Sequence, residues 1–352
     1  MRTALLAAAT ALALTLPAAA QDEPKGAPAP SEIVAGAPKA DWVAIAAEDL
    51  LVMTLAPDAD GKPRQVVIQL MPAPFSQGWV HNIRLFARAK WYDGISVNRV
   101  QDNYVTQWGD PNYDNPEATG KPKPLPEGLK VMSEADYTAS NVDELAADLS
   151  FPLMQKPPGE SSGWTVYSPS MGKGDAAKRH LRNSSGDDPY ARFNLFYRGW
   201  PVASADMTSI WPTHCYGMVG VGRNYSPDTG SGAELYTVIG HAPRHLDRNI
   251  ALVGRVIEGM EHLSSLPRGK GALGFYAADE AGKRTPILTV RVASDLPAAE
   301  QPKFEYLSTE SGSFATYAEA IANRRDPFFI VPAGGADICN IRVPVRRAAE
   351  GG

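Results

Sequence analysis

The sequence predicts a mainly β protein built on an antiparallel sheet that closes into a barrel, and three observations carry that prediction. Short apolar runs recur between clusters of Pro, Gly, Asp and Asn, the pattern of strands separated by turns. The 352 residues include 30 prolines and 31 glycines, which leave little room for long helix. Only a few stretches switch to a helical period. With many strands and few helices, closing the sheet removes the exposed edges that invite aggregation.

The elements follow in order. Arg2, the apolar run from Ala4 to Leu16 and the small residues Ala18, Ala19 and Ala20 read as a signal peptide cut after Ala20. The expected location is therefore periplasmic or secreted, and no later run is long and apolar enough to span a bilayer. Residues 21–40, rich in Pro, Ala and Gly, are expected to be a loose leader. DLLVMTLA (49–56) and QVVIQLMP (65–72), joined by PDADGKPR, form a hairpin. Trp79, Ile83, Phe86 and Ala87 recur at helical spacing and place an amphipathic helix over 76–90. SVNRVQ and NYVTQWG are the next strands.

From about 110 to 191 the chain reads as a loop insertion with one short helix within SEADYTASNVDELAADL. Regular structure resumes with ARFNLFYRGWPVA, CYGMVGVG and ELYTVIG. A strand to Val253 and a helix from Ile257 are expected on either side of Gly254, and ILTVRVAS (287–294) closes the sheet. Residues 295–352 form a C-terminal extension holding a helix over TYAEAIANRR and a last strand over ICNIRVPVR.

The formal net charge of -5 and the lack of a basic stripe argue against a nucleic-acid partner. The two cysteines, Cys215 and Cys339, are an even pair that an oxidising compartment would allow to bridge, although two buried thiols fit the sequence equally. His241 and His245 are four apart, but Pro243 breaks the helix a metal pair would want, and no metal or other cofactor is expected. GDPNYDN lacks the glycine and distal glutamate of a calcium loop, and GVGRNYS fails the dinucleotide fingerprint. Serines occur without the frame of a hydrolytic triad.

Arg99 is the residue that most needs explaining. A permanently charged guanidinium inside an apolar strand is costly unless its donors find partners or a ligand. A structural ion pair with Glu234 or Asp110 would meet that need without any function.

Two blocks go further. YDGISVNRVQDNYVTQWGDP (92–111) and GMVGVGRNYSPDTGSGAELYTVIGHAPRHLDRNIALVGRVIEGME (217–261) resemble the cyclophilin pattern in order and direction. The resemblance covers about 49–294, and the unit as a whole is taken as 41–294. It implies a closed eight-stranded antiparallel barrel capped by two helices, acting as a peptidyl-prolyl cis/trans isomerase on proline-containing unfolded or extended polypeptides. Arg99 matches the family's catalytic arginine. Tyr104 and Val105 match the floor of the proline pocket, Tyr236 and Leu246 its walls, and Gln107 the glutamine that steadies the arginine. Gly220 falls where backbone holds the peptide.

Departures mark the same region. Glu234 stands in place of a glutamine and can only accept hydrogen bonds when ionised. His245 replaces an aromatic residue, Ile250 a histidine, Val253 a phenylalanine, and Trp108 a glycine. Two functions stay open: an exported folding isomerase, or a weakly active or inactive cyclophilin-like chaperone or binding module. Arg99 and Gln107 favour the first. Glu234, Ile250 and the insertion favour the second.

Overall fold

The computed structural model describes residues 26–113, 118–140, 142–145, 148–150, 188 and 190–348. The signal-peptide reading and most of the 110–191 insertion lie outside them.

The apolar runs form strands where they alternate against turns. β2 (Leu50–Leu55) and β3 (Arg64–Leu70) make the expected hairpin, and α2 (Gln77–Arg88) covers the barrel with Trp79, Ile83, Phe86 and Ala87 buried beneath it. β4 (Ser96–Val100), β5 (Val105–Gly109), β10 (Met218–Val221), β11 (Leu235–Val238), β12 (Leu252–Glu258) and β13 (Ile287–Val292) complete the sheet. The eight strands run antiparallel in the order β13-β2-β3-β12-β10-β11-β5-β4. The ring closes from β4 to β13 through a Ser96–Pro286 bridge, with the Ile287 and Val97 amides donating to the Ile95 and Thr285 carbonyls at 2.8 and 2.9 Å. Met53, Val66, Ile68, Val97, Trp108, Val219, Leu235 and Ile287 fill the interior. Trp108 is thus a core residue and does not narrow a groove.

Gly254 does not end a strand. β12 runs straight through it to Glu258, and the following helix, α4 (Glu261–Ser264), is a single turn. A Cβ at position 254 would lie 2.6 Å from the Gln69 carbonyl oxygen. The glycine allows close strand contact, where the sequence suggested a break.

The segment ARFNLFYRGWPVA is not a barrel strand. It folds into the hairpin β7 (Phe193–Tyr197) and β8 (Trp200–Ser204), turned by Arg198 and Gly199, both at positive φ. With β6 (Leu149–Ser150) and β9 (Trp211–Pro212) it makes a separate four-stranded sheet, so the excursion from the barrel runs on past residue 191. Within it, α3 (Val142–Leu145) supplies a short helix. Arg255 ties this sheet to the barrel. Its guanidinium donates to Gln69 and to the Gly199 carbonyl at 2.9 and 2.7 Å and lies 4.4 Å over the Trp200 ring; burial pushes its pKa down to about 10.

The leader is also more ordered than its composition suggests. α1 (Pro30–Gly36) starts with proline in its first turn, and Glu32 accepts the Ala29 amide proton at 2.7 Å. Ile33 and Val34 then pack with Trp42, Phe314 and Ile338. β1 (Trp42–Ala44) pairs with β14 (Phe304–Leu307), which pairs with the edge strand β15 (Val345–Arg347). The last helix, α5 (Gly312–Ala322), begins earlier than the sequence pattern because Ser311 caps it, accepting from the Phe314 amide at 3.1 Å. Cys215 and Cys339 are joined in a disulfide, with Cα atoms 5.0 Å apart, that links the start of β10 to the extension.

Candidate active site

Residues two apart on a strand share a face, so Arg99 would ordinarily point inward beside Val97. A bulge in β4 prevents this. Val97 pairs with the inward-facing Trp108, but one extra residue is taken up before Arg99, which therefore pairs with Gln107 rather than Thr106. The bulge re-aims the guanidinium onto the outer face. Gln107 pairs in turn with Tyr236 on β11, giving a row of Arg99, Gln107 and Tyr236 across three strands.

This row lines a groove of about 310 Å³. Its apolar floor is Val105 and Tyr236, with Tyr104 and Ile250 packed against them and Val238 buried in the same cluster. Arg99, Tyr104, Val105, Gln107, Glu234, Tyr236 and Leu246 all line the groove, together with Gly222, Arg223, Asn224, Ile250, Leu273 and Phe275.

Arg99 is held in place by neutral acceptors. Its Nε donates to the Leu273 carbonyl at 2.6 Å, Nη1 to Gln107 Oε1 at 3.1 Å, and Nη2 to the Gln101 side-chain oxygen. Its carbon centre lies 5.6 and 5.5 Å from the Tyr104 and Phe275 ring centroids. Among the described residues no carboxylate pairs with it. Asp110 accepts instead from the Asn112 and Lys123 amides at 3.1 and 2.6 Å, and Glu234 Oε2 accepts from Gln107 Nε2 at 3.4 Å. Burial lowers the guanidinium pKa, opposed by Tyr104 and Tyr236. Five donors with three engaged leave two for a ligand.

Gln107 joins two groups of opposite charge. Its amide oxygen faces Arg99 and its nitrogen faces Glu234, so only one orientation of the amide suits both neighbours. Glu234 is 6% exposed and fits because position 109 is glycine: a Cβ there would lie 1.9 Å from Glu234 Oε1.

The family model described as cyclophilin type peptidyl-prolyl cis-trans isomerase/CLD matches residues 65–292, more than half of the chain. The chain belongs to the cyclophilin family of peptidyl-prolyl cis-trans isomerases. Among solved structures, cyclophilin AquaCyp293 from Hirschia baltica is similar at 17% identity and a TM-score of 0.58, covering 88% of this chain and 95% of that one. This likeness of fold reaches beyond the 65–292 stretch. The Cryptosporidium parvum cyclophilin type isomerase cgd2_1660 matches at 11% identity and a TM-score of 0.35, covering 69% of this chain and 96% of that one. The search of curated proteins finds no match.

Two positions carried over from the cyclophilin pattern do not reach the groove. Gly220 lies beneath the Tyr236 ring, where a Cβ would come within 2.4 Å of the phenol. It continues the row, in register with Tyr236 and Leu252, and among the glycines of this run Gly222, not Gly220, lines the groove. The glycine-rich run GMVGVG offers several glycines, and strand register alone selects among them. His245 is exposed on the loop after β11, and its neighbour Leu246 faces the groove instead. Leu273 and Phe275 had no signal in the sequence. They arrive on a loop that the Arg99–Phe275 bridge and the Leu273 carbonyl fasten to β4.

A second feature of this cyclophilin lies beneath the groove. The Tyr236 hydroxyl and His214 Nε2 are 3.0 Å apart, His214 Nδ1 and Asp247 Oδ1 2.9 Å, and Arg244 Nε donates to Asp247 Oδ2 at 2.6 Å. Arg244 Nη1 then donates to Asp188 at 3.0 Å. All are buried or nearly so. Asp247 is a pure acceptor, so His214 carries its proton on Nδ1 and Nε2 accepts from the tyrosine hydroxyl. Burial pushes the His214 pKa down, against Asp247 which raises it, and burial pushes Tyr236 well above its ordinary range. Burial also opposes the charge on Arg244, but Asp247 and Asp188 outweigh it and raise that pKa. The relay fixes Tyr236 in the groove floor and reaches Asp188 in the insertion.

Proposed function

We propose that this cyclophilin turns X-Pro bonds in exported polypeptides, with Arg99 as the catalytic residue. The X-Pro amide is planar because its nitrogen lone pair is shared with the carbonyl, and the barrier to rotation is ~18–20 kcal/mol. Twisting returns that lone pair to nitrogen. A donor aimed at the prolyl nitrogen binds the twisted form better than the planar one, and each ~1.4 kcal/mol of that difference is tenfold in rate. The apolar floor of Val105, Tyr236 and Ile250 would grip the ring while the preceding residue rotates. No nucleophile, proton shuttle or metal is needed.

The observation that carries this reading is the state of Arg99: re-aimed by a bulge, fixed by two amide side chains and a carbonyl, and with donors to spare over an apolar floor. Arg255 shows that neutral acceptors can also hold a structural arginine in this chain; Arg99 differs in lining an open groove beside an apolar floor. The signal-like N-terminus and the Cys215–Cys339 bridge support export, since such bridges persist in oxidising compartments.

A second reading, a client-binding module with little turnover, draws support from Glu234 and Ile250, which line the groove in place of a glutamine that can donate and a histidine. Catalysis of proline-limited refolding separates the two. The isomerase reading expects acceleration by wild type and its loss in Arg99→Ala. Equal rates with and without Arg99 would leave the binding module.

A further inference from the structure

The relay accounts for Tyr236, and Gln107 accounts for the orientation of Arg99. A second guanidinium in the same groove is left without a role. Arg223 follows Gly222 at the end of β10, where the chain leaves the sheet. Its Nε donates to the Asn249 carbonyl at 2.9 Å and its Nη1 to the Asn224 carbonyl at 2.6 Å. One bond goes to the next residue of its own loop and the other to the segment before β12, and together they hold the head at the groove wall. Among the described residues no acid pairs with it. The acid on its own loop, Asp228, is occupied by backbone, accepting from the Asn224 and Gly230 amides at 2.8 and 3.0 Å. Arg223 is only partly exposed, and its Nη2 has no acceptor among the described residues.

The charges along the groove are therefore unequal. Arg99 and Arg223 supply two cations, and Glu234 supplies one acid that already accepts from Gln107. A net positive groove sits on a chain whose formal charge is -5. A guanidinium with its stem fixed and a face unspent is suited to a carboxylate, which it can meet with two parallel hydrogen bonds.

We propose that Arg223 is a specificity residue that selects client segments carrying an acidic side chain next to the proline. This rests on the isomerase reading and adds a substrate class to it. A peptide lying with its proline over Val105 and Tyr236 would bring a neighbouring Asp or Glu within reach of Arg223. A lysine there would meet two like charges.

The test is isomerisation, followed by NMR exchange, of short peptides that differ only in the residue before the proline, Glu, Gln or Lys, with a second set varied after it. Wild type is expected to turn over the Glu peptide of one set about two- to fivefold better than the Gln peptide, in kcat/KM, and the Lys peptide worse. The Glu-to-Gln ratio is expected to approach one in Arg223→Ala, to invert in Arg223→Glu, and to shrink with added salt. Because the ratio is taken within each variant, it does not depend on how much enzyme is folded. Arg223→Gln, which keeps a donor for the two carbonyls but drops the charge, is expected to behave like Arg223→Ala. A wild-type ratio of one in both sets, or a ratio that survives Arg223→Ala and Arg223→Gln, overturns the proposal. If wild type turns over none of the peptides, the isomerase reading itself fails, and the neutral Gln peptide shows this separately.

Discussion

Replacing Tyr236 by phenylalanine separates what the ring does from what the hydroxyl does. The ring covers Gly220 and forms part of the groove floor, and Phe keeps it. The hydroxyl donates to His214 Nε2 at 3.0 Å in a fully buried site, and Phe removes it. The imidazole cannot turn to find another donor, because Nδ1 is held by Asp247 at 2.9 Å and Arg244 holds the other oxygen of that carboxylate. An orphaned buried acceptor costs about 1–3 kcal/mol. Urea denaturation of Tyr236→Phe should show that loss at unchanged m-value, while kcat/KM for peptide isomerisation changes little. A double-mutant cycle with His214→Leu should return a coupling energy of about 1 kcal/mol or more between the two positions. A loss below about 0.5 kcal/mol, within the scatter of surface substitutions, would refute the hydrogen-bonded relay. A fall in activity as large as that of Arg99→Ala would refute the assignment of the hydroxyl to structure.

Two further outcomes follow from the same geometry. Burial depresses the His214 pKa below its ordinary 6.5, so the folded chain resists a proton that the unfolded chain accepts. Its contribution to stability is present above pH 6.5 and lost as pH falls toward the depressed value, at up to ~1.4 kcal/mol per pH unit. The difference in unfolding free energy between wild type and His214→Gln, followed from pH 7 to 5, should fall with pH; a constant difference would contradict it. The Cys215–Cys339 bridge closes a loop of 124 residues, and on the chain-entropy account its removal costs about 4–5 kcal/mol. Urea midpoints of wild type and of the Cys215→Ala, Cys339→Ala double variant test this, and a difference under about 1 kcal/mol would show that the bridge constrains little.

The parts of this fold that were legible in the sequence are those set by local pattern. Two apolar runs separated by PDADGKPR pointed to the first hairpin, and the spacing of Trp79, Ile83 and Phe86 to the capping helix. Arg99 stood out because a charge inside an apolar strand needs a reason. What was hidden depends on register and tertiary neighbours. Gly254 has the same identity whether it ends a strand or lets one pass closely, and only the Gln69 carbonyl 2.6 Å from its would-be Cβ decides. Gly220 was the glycine read as holding the peptide, but the ring of Tyr236 covers it, and Gly222, just past the end of β10, lines the groove. His214 gave no signal, since its partners Asp247 and Tyr236 are 33 and 22 residues away. α1 looked like loose leader because its partner, the C-terminal helix, lies at the other end of the chain.

The most direct measurement is kcat/KM for isomerisation of one X-Pro peptide by wild type, Arg99→Ala and Arg99→Lys, with peptide affinity determined in parallel. If Arg99 acts on the twisted amide, Arg99→Ala loses about 100-fold or more in kcat/KM. Affinity for the ground-state peptide should then change far less, and Arg99→Lys should recover only part of the rate. Equal kcat/KM in wild type and Arg99→Ala, or a loss that appears wholly as weaker peptide binding, would contradict the account.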